Sequence, residues 1–247
     1  MRRLGAAAGA ALLLVAAAPA PAAGCAPMSF EGQHFTICEA DPAQDSIRMW
    51  HRDADGTLYG GFRAVDRALG ERGARLAFAM NAGMYHPDRE PVGLYIEDGV
   101  ERAPLITRAR GGNFALLPNG VFCLGPEGAR VIETQAFAAA RPVCRFATQS
   151  GPLLVIGGDL HPRFLPDSDS RYVRNGVGVA ADGRVLFAIS EQPVTFFEFG
   201  RLFRDGLGVP DALYLDGSVS RLHAPALGRS DIGLPLGPII GVAAPAG

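Results

Sequence analysis

Lysine is missing from the chain: its 247 residues hold 23 Lys-or-Arg positions and every one is arginine. That absence excludes Schiff-base chemistry and a P-loop, both of which need a lysine amine. Any phosphate or carboxylate must therefore be held by arginine, backbone N–H groups or hydroxyls. A dominant charge is lacking too, since a net charge of −2 gives no long-range field for nucleic acid or an anionic membrane surface. The four cysteines have no CxxC spacing and the five histidines are scattered, which argues against a zinc site. Internal repeats, coiled-coil heptads and linkers are also missing. With 48% hydrophobic residues, the chain can bury one sizeable core.

The N-terminal stretch MRRLGAAAGAALLLVAAAPAPAAGC has two arginines, an alanine-rich apolar run and Ala20-Pro21-Ala22 as a cleavage site. It reads as a secretory signal peptide over residues 1–22 ahead of a single domain over 23–247, and as too short and weakly flanked for a stable membrane span. Ala22-Ala23-Gly24-Cys25 resembles a lipobox, with Ala22 where leucine is usual. Export implies a secreted or periplasmic location that is oxidising. Sequence proximity then favours the disulfides Cys25–Cys38 and Cys123–Cys144.

The patterning predicts α+β architecture: a mixed, mostly antiparallel sheet built from hairpins, flanked by a few helices. FTIC (residues 35–38) and IRMW (residues 47–50) alternate as an opening hairpin. Arg63–Arg72 has helical spacing and ends at Gly73. Asp98-Gly99, Asn119-Gly120 and Asp182-Gly183 suit tight turns, with Phe114–Leu117 as a strand before the second. Thr134 is expected to cap a short helix over Gln135–Ala140. Thr195 and Glu198 form a capping box before an apolar stripe of Phe199, Leu202, Phe203 and Leu207. On the strand Asn175–Ala181, Gly176 and Gly178 leave one face bare, so something can lie close against it. Residues 161–172 read as a long surface loop.

Asp211–Ser220, DALYLDGSVS, organises the rest. A buried apolar strand ends there on Asp216 and Gly217, and a carboxylate at the lip of a core is costly unless it is held, paired or used. Other inferred strand ends carry Asn81, the Thr148–Ser150 corner, Arg174-Asn175 and Ser190-Glu191. Asp216 and Glu191 with one arginine and amide or hydroxyl donors suit glycosyl or acyl chemistry. Ser150 lacks the GxSxG elbow of a hydrolase nucleophile. His86-Pro87-Asp88 has the wrong spacing for a helical metal pair.

MNAGMY (residues 80–85), TQSGPLLV (148–155), RNGVGV (174–179) and LDGSVS (215–220), in that order, resemble the phosphodiester glycosidase family. The resemblance runs from about Arg75 to the C-terminus. It implies hydrolysis between an anomeric carbon and a phosphodiester oxygen of a small-molecule or glycan substrate, with no cofactor and no metal. On that reading Arg174 grips two phosphate oxygens, Asp216 acts on the sugar as nucleophile or base, and Glu191 is the second carboxylate. Asn81, Asn175, Ser150 and Ser218 position the substrate, with Gly83, Tyr85, His86, Gly151 and Gly217 alongside. Relatives of the family's mammalian enzyme usually carry two glycines after the Asp; here Ser218 stands in place of the second, which points to a bacterial branch. The competing readings are a glycan-binding module of the cell envelope and a metal-dependent phosphodiesterase.

Overall fold

The computed structural model describes residues 23–108 and 111–246; the signal peptide expected over 1–22 lies outside the described residues. The strands distribute over three sheets, and every pairing between them among the described residues is antiparallel. The first sheet runs, edge to edge, Gly24–Phe30, Gln33–Ala40, Val185–Ser190, Asn175–Val179, Asp211–Asp216, Leu153–Ile156 and Asp159–Leu160. The second runs Arg229–Ser230, Leu222–Ala224, Ala74–Asn81, Ile239–Pro245 and Ser46–Trp50. The third runs Val100–Ala103, Tyr95–Glu97, Phe146–Ser150, Gly120–Gly125 and Gly128–Glu133. Short helices at Phe62–Gly70, Thr134–Ala140 and Phe196–Arg201 complete the α+β architecture that the patterning predicts.

Phe187, on the first sheet, sits where the three meet. Its ring is edge-on to Phe78 of the second sheet at 5.5 Å and to Phe122 of the third at 6.3 Å. Such edge-to-face pairs each add about 0.5–1.5 kcal/mol beyond the area they bury. The opposite face of the first sheet is covered by the Phe196–Arg201 helix, whose Thr195–Glu198 capping box forms as expected. This helix is what lies against the bare glycine face. A Cβ on Gly176 would come within 3.1 Å of Phe199, and one on Gly178 within 3.0 Å of Phe203. The bare face therefore admits core, not ligand.

Three local expectations are corrected. FTIC and IRMW do not pair: Gln33–Ala40 joins the first sheet, while Ser46–Trp50 joins Ile239–Pro245 in the second. Between them, Asp41 folds the chain through bonds from the N–H of Ala43 and the side chain of Gln44. Alternation sets the face a strand buries, and partner choice comes from the whole fold. Phe114–Leu117 is no strand, because Asn113–Ala115 makes a 3₁₀ turn and the Asn119 amide donates to the Phe114 carbonyl at 2.9 Å. Glu133, not Thr134, caps the second helix by accepting from the N–H groups of Gln135 and Ala136. The Thr134 hydroxyl is drawn inward instead and donates to Asn119 Oδ1 at 2.7 Å.

The disulfides join Cys25 to Cys38 across facing strand positions and Cys123 to Cys144, as proximity suggests. The second closes a span of 21 residues. Replacing Cys123 and Cys144 together by alanine should lower unfolding stability by about 2–4 kcal/mol. Urea denaturation of the double variant measures this, and an unchanged midpoint would show that the bridge adds nothing to the fold.

Candidate active site

The strand Asp211–Asp216 is interior to its sheet, and Ala212 to Leu215 are buried. The register slips where Asn175 faces Asp216 but Gly176 faces Tyr214, leaving Leu215 as the extra residue. A bulge of this kind re-aims the following side chain. Asp216, 8% exposed, closes a tight turn: its Oδ1 accepts from the N–H groups of Gly217 at 2.6 Å and Ser218 at 2.8 Å. Its other oxygen, Oδ2, makes no hydrogen bond among the described residues, although the Val219 N–H also bears on the carboxylate. Burial pushes the carboxyl pKa up, and the turn's N–H groups oppose that shift without cancelling it.

Beneath the turn lies a buried amide pair. Asn175 Oδ1 accepts from the Asp216 N–H at 3.1 Å and from Asn81 Nδ2 at 3.2 Å, with Ser220 Oγ 3.3 Å away. Its Nδ2 donates to the Asn81 carbonyl at 2.8 Å. Asn81 Oδ1 in turn accepts from the Arg221 N–H at 2.9 Å, and the Ser220 hydroxyl donates to the Asp216 carbonyl at 2.8 Å. Both asparagines are fully buried. Their polar atoms are thus engaged in building the turn, and they hold Asp216 rather than reach a ligand.

Asp216 and Ser218 line a cavity of about 530 Å³ together with Tyr85, His86, Asn113 and Phe114. Burial first, and the Asp216 charge second, push the Tyr85 phenol up to about 12. It therefore stays protonated at neutral pH, and its hydroxyl donates to the Pro235 carbonyl at 3.1 Å. On the far side of the turn, a Cβ on Gly217 would stand 2.1 Å from the Tyr214 hydroxyl, so residue 217 must be glycine for the turn to close.

Arg174 is fully buried in an aromatic cage: its guanidinium carbon is 3.7 Å from the Phe196 ring centroid and 5.4 Å from those of Tyr172 and Tyr214. Nε donates to the Val194 carbonyl and Nη2 to that of Ser170, leaving the buried Nη1 without a partner. The two-oxygen grip expected of Arg174 is thus taken up by the protein's own carbonyls. Glu191 stands apart from the cavity lining, its Oε1 accepting from Thr36 Oγ1 and Arg229 Nη1, each at 2.6 Å. Ser150 is buried with its hydroxyl on the Leu215 carbonyl at 2.9 Å. Gly83 and Gly151 serve packing: a Cβ there would meet Thr148 Oγ1 and Asn119 Cβ, each at 2.5 Å.

The structure thus brings Asp216, Ser218, Tyr85 and His86 to one cavity, with Asn81, Asn175, Ser150 and Gly217 as its support. Tyr214 and Asn113 are additions. Tyr214 had a legible signal, since a phenol in an otherwise aliphatic buried strand needs a polar neighbour.

The phosphodiester glycosidase family profile matches residues 74–224, which enclose the amide pair, the Asp216 turn, Tyr85 and Tyr214. The chain belongs to this family. Escherichia coli K12 YigE, an uncharacterized protein, is 32% identical over 191 residues, covering 77% of this chain and 73% of YigE. In fold alone the chain is similar to the catalytic domain of zebrafish N-acetylglucosamine-1-phosphodiester α-N-acetylglucosaminidase, solved auto-inhibited by its pro-peptide. That match has a TM-score of 0.62 at 12% identity and covers 92% of this chain and 85% of the other. A Burkholderia pseudomallei protein described as a putative exported protein matches with a TM-score of 0.56 at 10% identity over 85% of this chain and 74% of its own.

Replacing Asn175 by alanine leaves the Asn81 amide and the Asp216 N–H without their acceptor in a dry site. Stability should fall by roughly 3 kcal/mol, measured by chemical denaturation. A loss below about 1 kcal/mol would mean that the amide pair does not hold the turn.

Proposed function

We propose that this protein hydrolyses the glycosidic C–O bond of a sugar-1-phosphodiester in a cell-envelope or extracellular glycan and leaves a phosphomonoester. The observation that carries the reading is the divided carboxylate of Asp216. One oxygen is fixed by two backbone N–H groups, and the other is free at a cavity large enough for a sugar. A fixed negative charge in a poorly hydrated site stabilises a positive charge that develops at the anomeric carbon. Asp216 then acts as nucleophile, or as base for water on the opposite face.

Glu191, held by Arg229 and Thr36, takes no part at the reacting carbon on this reading. The leaving group explains why one carboxylate suffices. A phosphomonoester departs as a stable anion and needs donors more than it needs a proton. His86, Asn113 and the Ser218 hydroxyl are polar groups of the cavity lining that can supply them, while the Tyr85 phenol has its proton on the Pro235 carbonyl. Arg174 is a positioning residue: it lies beside Tyr214, against whose hydroxyl Gly217 closes the turn. The two disulfides suit an oxidising compartment, and one structural neighbour is described as exported, so we place the protein outside the cytoplasm.

Asp216→Asn should lower kcat on a sugar-1-phosphodiester by about 10² or more. The fold should survive, and the sign of the stability change is defined. Because the folded carboxyl titrates above its unfolded value, the stability it contributes is present at low pH and lost as pH rises through the raised folded pKa. At pH 7 the asparagine variant should therefore melt at the same temperature as wild type or higher. For the same reason the acid limb of the wild-type activity profile should lie above the ordinary aspartate range. A glycan-binding module would instead keep its affinity in the variant and never turn over. Hydrolysis in ¹⁸O-water tests the bond: label should enter the anomeric hydroxyl, and label in the phosphate would mean attack at phosphorus.

A further inference from the structure

A second hollow, of about 480 Å³, has Arg63, Arg67, Arg89 and Arg221 among its lining residues. Three separate segments deliver them. The helix Phe62–Gly70 carries Arg63 and Arg67 one turn apart, the chain after Tyr85 carries Arg89, and the chain leaving the Asp216 turn carries Arg221. None of the four is in an ion pair among the described residues, a state they share with Arg48, Arg72, Arg75, Arg102, Arg141 and Arg163; what sets the four apart is that they line one hollow. The carboxylate of the hollow, Asp231, is already engaged: Arg229 donates to its oxygens at 3.0 and 2.9 Å and the Leu222 N–H adds a third bond. A chain of net charge −2 thus gathers four guanidinium groups around one space without a counter-charge for them. Like charges so gathered repel, and a bound anion offsets that repulsion.

The backbone is shaped for this cluster. Arg89 has φ +71°, in the left-handed region disfavoured for a residue with a Cβ. It is held there by its N–H on the His86 carbonyl at 2.7 Å and by the His51 ring on its own carbonyl at 2.9 Å. Gly60, at φ +63°, leaves the room that Arg89 uses, since a Cβ there would be 3.3 Å from Arg89 Nη1. Arg221 Nη2 donates to the Leu234 carbonyl, while its buried Nε has no partner among the described residues.

Tyr85 is the wall between the two spaces. It lines the Asp216 cavity, and its hydroxyl bonds to Pro235, which lines the arginine hollow. We propose that the arginine hollow binds a second phosphate of the substrate, so that the preferred substrate carries two or more phosphodiester groups, with the scissile one at Asp216. The placement of the scissile group rests on the glycosidase reading above, but the anion site does not. Guanidinium groups match phosphate oxygens in pairs, which suits arginine to this task in a chain without lysine.

The test is Arg63→Gln with Arg67→Gln, two exposed helix positions, with the melting temperature recorded to establish folding. By calorimetry at low salt, inorganic phosphate should bind wild type and Asp216→Asn alike and bind the double variant at least tenfold more weakly. The ratio of kcat/KM for a substrate with two phosphodiesters over one with a single phosphodiester should fall about tenfold in the double variant. Equal phosphate binding in wild type and double variant overturns the proposal, as does an unchanged ratio. If the double variant loses phosphate while wild type cleaves neither substrate, the glycosidase reading fails and the anion site stands.

Discussion

The Asn175 side chain fixes the position of the carboxylate on which the proposed chemistry rests. A primary amide presents a donor and an acceptor in one plane, and here it gathers the first sheet, the second sheet and the Asp216 turn into one buried set of bonds. No charge takes part. An arginine in the same place would also have oriented the turn, but it would have neutralised Asp216 and depressed its pKa. Holding a carboxylate with neutral groups keeps its charge available to whatever enters the cavity.

Cations are correspondingly kept off that carboxylate. Arg174 is enclosed by aromatic rings and by carbonyls of its own chain, and Arg229 is occupied by Glu191 and Asp231. Four arginines without an ion pair among the described residues line the hollow beyond Tyr85 instead. On the proposed reading, a site for developing positive charge and one for existing negative charge lie on either side of a protonated phenol.

Much of this was legible in the sequence, and the rest was hidden for identifiable reasons. Asp216 stood out because an apolar strand ends on it, and Thr195 with Glu198 because a capping box is a local pattern of fixed spacing. Glu191 lies apart from the cavity lining; position at a strand end gives no information about partners, and Arg229, 38 residues away, reaches it through the fold. Arg174 was recognised as important, but its burial among Phe196, Tyr172 and Tyr214 depends on contacts across the loop before it. Thr134 and Glu133 exchanged roles because Asn119, remote in sequence, competes for the threonine hydroxyl. Local chemistry is readable where both partners lie within a few residues, and it becomes ambiguous when a distant residue offers the same hydrogen bond.

The strand Ile239–Pro245 lies between Ala74–Asn81 and Ser46–Trp50, inside its sheet rather than at an edge. Two strands made early in synthesis are thus held apart by one made about 160 residues later, a separation that raises contact order and slows folding. Until that late segment arrives, Asn81 has no neighbour on one flank and the second sheet cannot close. The nascent chain must stay open through most of its synthesis, with unpaired strand edges that need protection from other chains. Completion of the second sheet is in this sense a terminal event: the strand that ends on Asn81 gains its second flank only when the C-terminal strand slots into place.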